Sequence, residues 1–448
     1  DLHDAAAVLG HDTDETLGVV AGLVDASLVV ADVTGRSARY RMLETIRAFG
    51  LHQLADRQDR QEVLDRYRQH IIAVADATAR AADEADAFHR LHDLLPDLRG
   101  VLDWASVEEP HTVAGLAEYL RAFWIQRGLA SEIEPRLASV VAGVDSAAAW
   151  YTLGVLRYAR GAFDEALAAF EAGLESRCEG LDRARITNAM GVIALERGDY
   201  TTAAARYRRA EQLFTEAGHH GGIAAARLNQ GIADLNLAHY DHATDHLESA
   251  RELFHEQGDA REEGHALVRL AFLAELEGRS DVAVERANAA LRIVRALGPG
   301  LALADTLQYT ADFEVGAGNS AVARRLLSEA VALFVTLPHP PGLQRAMLTA
   351  TAIAVTDKQW PEAAEMSAYA AQLRQDLGIP VPAANRAAVD RLADAVNGSV
   401  PFARREALAE RARLADVDHM AARCLDVLAR SAGGSVQEVG DHETTTSE

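Results

Sequence analysis

Residues 191–210 read GVIALERGDYTTAAARYRRA, and the same pattern returns as GIADLNLAHYDHATDHLESA at 231–250. It recurs as AFLAELEGRSDVAVERANAA at 271–290, ADFEVGAGNSAVARRLLSEA at 311–330 and TAIAVTDKQWPEAAEMSAYA at 351–370. The starts are 40 residues apart each time. Ala203, Ala243, Ala283, Ala323 and Ala363 form one column, and Ala210, Ala250, Ala290, Ala330 and Ala370 form another. A fixed period of this length is the signature of a solenoid in which each unit buries its apolar face against its neighbours. The chemistry is steric: two antiparallel helices approach closely only where side chains are small, so Gly191 or Gly231 on the first helix and Ala203 or Ala243 on the second mark the crossing. Between the small columns, Tyr200, Tyr240, Ser280, Ser320 and Trp360 are read as a turn column.

An earlier copy, GVLRYARGAFDEALAAFEAG from Gly154, matches at a spacing of 37. With Trp150, Leu153 and Gly154 on its first helix and Ala166 and Phe170 on its second, it resembles the tetratricopeptide repeat. The ordinary repeat is about 34 residues long, so the 40-residue period is similar to the extended variant of bacterial regulators. The expected fold class is all-α: a tetratricopeptide-repeat superhelix of period 40 preceded by a small winged-helix domain with a two-stranded wing. The composition agrees, since aromatic residues make up 6% of the 448 and Ala about a fifth, which favours closely packed helices over large sheets.

The front end breaks the repeat. LGVVAGLVDASLVVADVTGRSARYRMLETIRAFGLHQL, within residues 1–55, reads as helix, strand, turn at Thr34 and Gly35, strand, helix. LVDASLVV followed by YRMLETIRAFGLHQLA resembles the winged-helix segment that closes the nucleotide-binding core of bacterial STAND regulators, the signal-transduction ATPases with numerous domains. RYRQHIIAVADAT, LLPDLRGVLDWA and LRAFWIQRGLASEIEPRL are similar to the helical connector of those regulators. The resemblance extends to the C-terminal portion of NB-ARC-type transcriptional regulators, AfsR/SARP-like or LuxR-like. It implies a winged helix over 1–56, a connector over 57–148, repeats over 149–378, a helical cap over 379–430 and a disordered polar tail over 431–448.

Met42, Leu43 and Glu44 stand where related switches carry Met-His-Asp, whose His touches the bound diphosphate; with Leu43 there, that role does not transfer. A P-loop needs a Lys after Gly, and the one Lys of the chain is Lys358 in TDKQW. No cofactor is therefore expected in this chain. The resemblance puts ATP or ADP on an upstream nucleotide-binding domain, and because the chain opens on Asp1 rather than Met, sequence is expected to precede it.

A net charge of −23 opposes broad phosphate binding, which rests on Lys and Arg displacing counterions. Residues 1–55 carry eight acids against four Arg, and DETLGVVAGLVDA has no basic residue, so no direct nucleic-acid contact is expected. No apolar run reaches the roughly 18 residues of a membrane span, and no signal peptide opens the chain; a cytoplasmic location is expected. Cys178 and Cys424 are too far apart in sequence to form a ligand or redox pattern and read as buried free thiols.

His242 and His246 lie four apart on a helix, a spacing that can chelate zinc, but Ala243 between them takes the packing position and the pair reads as a solvated face. GHHGG at 218–222 reads as a flexible inter-repeat loop. No nucleophile or acid/base motif appears, so no catalytic residue and no enzyme are expected. In a solenoid the concave face of first helices carries binding, which nominates Arg185, Asn188, Glu196, His265, Glu275, Gln308 and Arg345. Arg41, Glu44 and Arg47 are nominated for contact between the winged helix and a nucleotide-binding core.

The function implied is the sensor region of a STAND-type regulator. It would bind a protein, peptide or small inducer, relay that event to the upstream switch, and have the capacity to self-associate. A stand-alone repeat scaffold and the tail of a cyclase-linked regulator are the alternatives.

Overall fold

The computed structural model describes residues 1–32, 38–80, 84–337, 339–377 and 383–430. The turn at Thr34 and Gly35 and the tail over 431–448 lie outside them. Among the described residues are 23 α-helices and one two-stranded antiparallel sheet, divided into compact units of residues 1–182 and 183–448.

The first unit runs α1 (Leu2–Leu9), α2 (Thr13–Asp25), β1 (Val29–Asp32), β2 (Arg39–Met42) and α3 (Glu44–Ala55). It continues through α4 (Arg60–Ala79), α5 (Glu84–Glu108), α6 (Pro110–Tyr119), α7 (Arg121–Gln126), α8 (Ala130–Val140), α9 (Ala147–Ala159) and α10 (Phe163–Glu175). Val29 pairs with Met42 and Asp32 with Arg39 in the sheet. Asp1 and Asp12 cap α1 and α2 by accepting the backbone N–H groups that the first turn leaves unpaired. The core of the unit gathers around Trp124, fully buried, whose indole N–H donates to the Leu116 carbonyl at 3.3 Å. Phe123 meets that indole edge-on at 5.2 Å. Two Arg, Arg157 and Arg160, converge on the nearly buried Glu134 at 3.1 and 2.6 Å.

The second unit opens in α11 (Gly180–Glu196) and stacks five helix pairs. Its further members are α12 (Tyr200–Glu216), α13 (His220–Asn236), α14 (Tyr240–Gln257), α15 (Ala260–Leu276) and α16 (Ser280–Arg295). Then follow α17 (Leu301–Gly316), α18 (Ser320–Thr336), α19 (Pro340–Thr356) and α20 (Trp360–Asp376), with α21 (Ala383–Ser399), α22 (Phe402–Leu414) and α23 (Val417–Ala429) closing the described chain. All ten residues of the two Ala columns have zero exposure, as expected where helices cross at their closest. A Cβ built on Gly154 would lie 2.3 Å from the Phe170 ring, and one on Gly191 2.6 Å from Tyr207. The large residue that fills each glycine's notch sits sixteen positions later, on the second helix.

The column Tyr200, Tyr240, Ser280, Ser320 and Trp360 is not a turn: each of these residues is the first of its helix. The reversal falls two residues earlier, where Gly198, Ala238, Gly278, Gly318 and Lys358 all take positive φ, between 58° and 82°. Three are Gly, which enters this region freely, while Ala238 and Lys358 each bear a cost of about 1–2 kcal/mol that packing of the two helices overrides. GHHGG also differs from the loop expected. His219 caps α13, its Nδ1 accepting the Gly222 N–H at 2.8 Å, and its ring lies 5.7 Å from that of Phe214. His339 repeats the device three units on, accepting from Gly342 at 3.1 Å and stacking on Phe334.

Candidate ligand-binding face

In the second unit, successive first helices touch: α13 meets α15, α15 meets α17 and α17 meets α19, and contacts between successive second helices are slighter. The first helices therefore line the inner curve. Side chains on this face form a ladder in steps of 40 residues. One column runs Arg185, Ala225, His265, Asp305, Arg345, polar except at Ala225, and the next, one helical turn on, runs Asn229, Arg269, Tyr309, Thr349.

The ladder is densest over α15, α17 and α19. Arg345 donates to Asp305, and its Nε donates to Gln308 Oε1 at 3.4 Å. Gln308, 1% exposed, donates through its amide to Asp312 at 2.5 Å and to Thr349 Oγ1 at 3.1 Å. The Thr349 hydroxyl in turn donates to Asp312 at 2.5 Å. Tyr309 lies between two guanidinium groups, Arg269 at 5.8 Å and Arg345 at 5.6 Å from its ring centre, within cation–π range. Phe272 meets Tyr309 edge-on at 5.5 Å.

Removal from water pushes the Asp312 carboxyl up to about 6, against the pull of the Thr349 and Gln308 hydrogen bonds and the Arg345 charge. The folded chain thus keeps a proton that an ordinary Asp, near 3.8, has already lost. This contribution to stability is complete below about pH 4 and is lost as pH rises through about 6. Asp312→Asn, whose Oδ1 can accept from Gln308 while its amide N–H donates to the Thr349 hydroxyl oxygen, is expected to flatten that slope and to gain on the order of 1 kcal/mol at pH 7. Urea melts of both chains between pH 4 and 7.5 check this; an undiminished slope in the variant would place the titrating group elsewhere.

Among the seven nominated residues, Gln308 and Arg345 fall in the densest part of the ladder and His265 borders it. Asn188 sits further along, accepting from Asn229 at 3.2 Å, and Arg185 is half-buried beside it on α11. Glu196 is exposed at the last residue of α11. Glu275, near the end of α15, turns Oε1 toward Gly316 and has a buried Oε2 with no hydrogen-bond partner among the described residues. Residues the sequence reading passed over are Arg269, Phe272, Asp305, Tyr309, Asp312 and Thr349. The signal for three of them was present: positions 269, 309 and 349 stand one turn from the column of Arg185, His265 and Arg345.

A second surface lies in the first unit. The α3 helix buries none of its residues, and Leu43, Phe49 and Leu51 are more than half exposed. Val30, Met42 and Leu17 add apolar area from β1, β2 and α2. Arg41 is exposed here, and Glu44 and Arg47 pair with each other at 3.4 Å in the open. By contrast α1 is fixed to α4, through His70 against Asp4 at 2.8 Å and Arg66 donating to the Val8 carbonyl at 2.9 Å.

His242 and His246 diverge: His246 turns to Asp234 at 2.9 Å, and His242 meets the His239 ring. Among the described residues no three His, Cys, Asp or Glu side chains gather as a metal site, and no helix is long and apolar enough to cross a membrane. Cys178 and Cys424 are both buried, and burial pushes the Cys424 thiol up to about 12.

No family model matches the chain. A putative HTH-type transcriptional regulator of Mycobacterium tuberculosis is 34% identical over 128 residues, 27% of this chain and 14% of that protein. An uncharacterized protein of the same organism is 39% identical over 75 residues, 16% of this chain and 19% of its own length. The matched part thus spans less than a fifth of either curated relative. Among solved structures, a STAND protein with a tetratricopeptide repeat sensor from Pyrococcus horikoshii aligns over 95% of this chain and 62% of its own, at a TM-score of 0.53 and 14% identity. A Rap protein solved in complex with Competence and Sporulation Factor aligns over 77% of this chain and 99% of its own, at 0.50 and 11%. What these structures share with the chain is the fold, an all-α superhelix of tetratricopeptide-like repeats.

Proposed function

We propose that this chain is the sensor region of a STAND-type transcriptional regulator, and that it binds a peptide or protein along the first helices of its second unit. The observation that carries the reading is the ladder over α15, α17 and α19, where Arg, Asp, Gln, Thr and Tyr side chains share one half-buried inner face with two aromatic rings. A solenoid surface with no ligand to meet gains little from holding Gln308 and Asp312 away from water, because each must then be matched by an internal partner. The STAND protein with a repeat sensor, aligned over nearly all of this chain, supports the same arrangement of parts.

In this reading residues 1–56 form a winged helix that mates with an upstream nucleotide-binding module through the apolar surface of α3 and the sheet, with Arg41, Glu44 and Arg47 at its rim. Ligand on the repeats shifts an equilibrium between resting and open states by binding one better than the other. The chain itself performs no catalysis, works in the cytoplasm and leaves DNA to another part of the regulator.

Selection from a displayed heptapeptide library on the immobilised chain tests the reading. Enriched peptides are expected to protect α15, α17 and α19 from hydrogen exchange. Enrichment that protects only the second helices or residues 1–55, or no enrichment at all, would sink it. Labelled ATP is expected to remain unbound at micromolar chain, and saturable binding would remove the reliance on an upstream module.

A further inference from the structure

The inner face holds a cation to which the repeats give no acid. Arg345 is neutralised by Asp305 and Arg227 by Glu211. Arg269 is different. Its Nε and Nη2 reach His265 Nε2 at 3.2 and 3.1 Å, and among the described residues no carboxylate pairs with it. Shortage is not the cause, since the chain carries 67 acidic residues against 44 basic ones. Because Arg keeps its charge at any ordinary pH, His265 must offer Nε2 as an acceptor and carry its proton on Nδ1, which lies 3.6 Å from Glu262. The guanidinium is half-buried and flanked by the Phe272 and Tyr309 rings at 5.7 and 5.8 Å. Contact with His265 uses a minority of its five donors, and the rest are available to an oxygen acceptor.

We propose that Arg269 is the anchor for a carboxylate carried by the ligand, with the Phe272–Tyr309 pair taking the flat or apolar group next to it. The inference rests on the binding face proposed above. Charge selects the ligand class. A neutral group would leave the guanidinium uncompensated, whereas a phosphate ester carries about −1.5 to −2 at neutral pH, more than one Arg offsets. A planar carboxylate matches the fork in both charge and shape. It has two natural sources, the C-terminus of a peptide and a small aromatic acid.

The test follows the Arg269 Nε–H resonance of the full chain, labelled at arginine nitrogen, at constant ionic strength. Benzoate represents the small acid and N-acetylphenylalanine the peptide terminus; benzamide and N-acetylphenylalanine amide are their neutral counterparts, and inorganic phosphate is the third arm. At least one carboxylate is expected to shift the resonance saturably and about tenfold more tightly than its amide, and the tighter of the two identifies the source. In Arg269→Lys, which keeps the charge and the stem, affinity for that carboxylate measured by calorimetry is expected to fall about tenfold, because the planar fork is gone. Equal binding of acid and amide, tighter binding of phosphate, or no saturable shift with either acid would overturn the anchor. Failure of the anchor is separable from failure of the face: library peptides that protect α15, α17 and α19 in a chain whose Arg269 ignores carboxylates leave the face standing.

Discussion

Arg324→Met is expected to destabilise the C-terminal end of the second unit by about 3–5 kcal/mol, the cost of breaking a buried pair by removing one partner. Arg324 is 8% exposed and holds three elements at once. It donates to Asp357 at 2.6 Å, to Gln359 at 2.7 Å and to the Val427 carbonyl at 2.9 Å, joining α18, the α19–α20 turn and α23. Met fills much of the volume but leaves the Asp357 carboxylate and a main-chain carbonyl buried without a donor. The α23 helix has a second tie, since Glu365 accepts from Arg423 at 2.8 and 3.2 Å. Burial raises that carboxyl, and the Arg423 and Arg411 charges more than reverse the effect, holding it below its usual range. Hydrogen exchange is the measurement of choice because solenoids unfold by parts. The amides of α23 should lose protection first, with α13–α16 nearly unchanged. Protection of α23 within 1 kcal/mol of the parent would show that the pair contributes little there.

Gly191→Ala carries the other large expected loss, about 1–3 kcal/mol from overpacking. The added methyl would meet Tyr207 Cε1 at 2.6 Å and Cδ1 at 2.8 Å. Tyr207 has no exposed surface into which to retreat. Elsewhere the chain already holds the compatible alternative: Ala311 and Leu327, both with zero exposure, occupy the equivalent positions three repeats later. Gly191→Ala combined with Tyr207→Leu is therefore expected to lie closer to the parent in a urea melt than Gly191→Ala alone. A neutral single variant would mean that α11 and α12 separate more easily than their packing implies.

The parts of this fold that the sequence displayed are those that recur. An Ala at 203 is unremarkable until it returns at 243, 283, 323 and 363, and the crossing geometry follows from size alone. The turns were misplaced by two residues because a turn is fixed by backbone dihedrals, and Ala238 and Lys358 do not advertise the positive φ they adopt. Of the inner face, Gln308 and Arg345 were legible as polar residues on first helices. Arg269 stood one turn from a polar column, but what sets it and Asp312 apart was not legible, because it lies in their partners: an acid missing from one, and for the other a donor on its own helix and a second on α19. The link from α23 to Arg324 was out of reach for the same reason, being a contact between segments about a hundred residues apart that obeys no period.

That last link sets an order of events in time. Bonds between neighbouring first helices join residues near one period apart, such as Asn188 with Asn229 at a separation of 41 and Arg345 with Gln308 at 37, so each loop to be closed is short and the array assembles by adding one pair to the next. Arg324 with Val427 spans 103 residues and Arg423 with Glu365 spans 58. These closures gain nothing until α18, α19 and α20 are already in place to receive α23. On a chain emerging from the ribosome, α18 and α20 would then stand uncovered until α22 and α23 arrive, and that interval is when this otherwise local architecture is most open to association with the wrong surface.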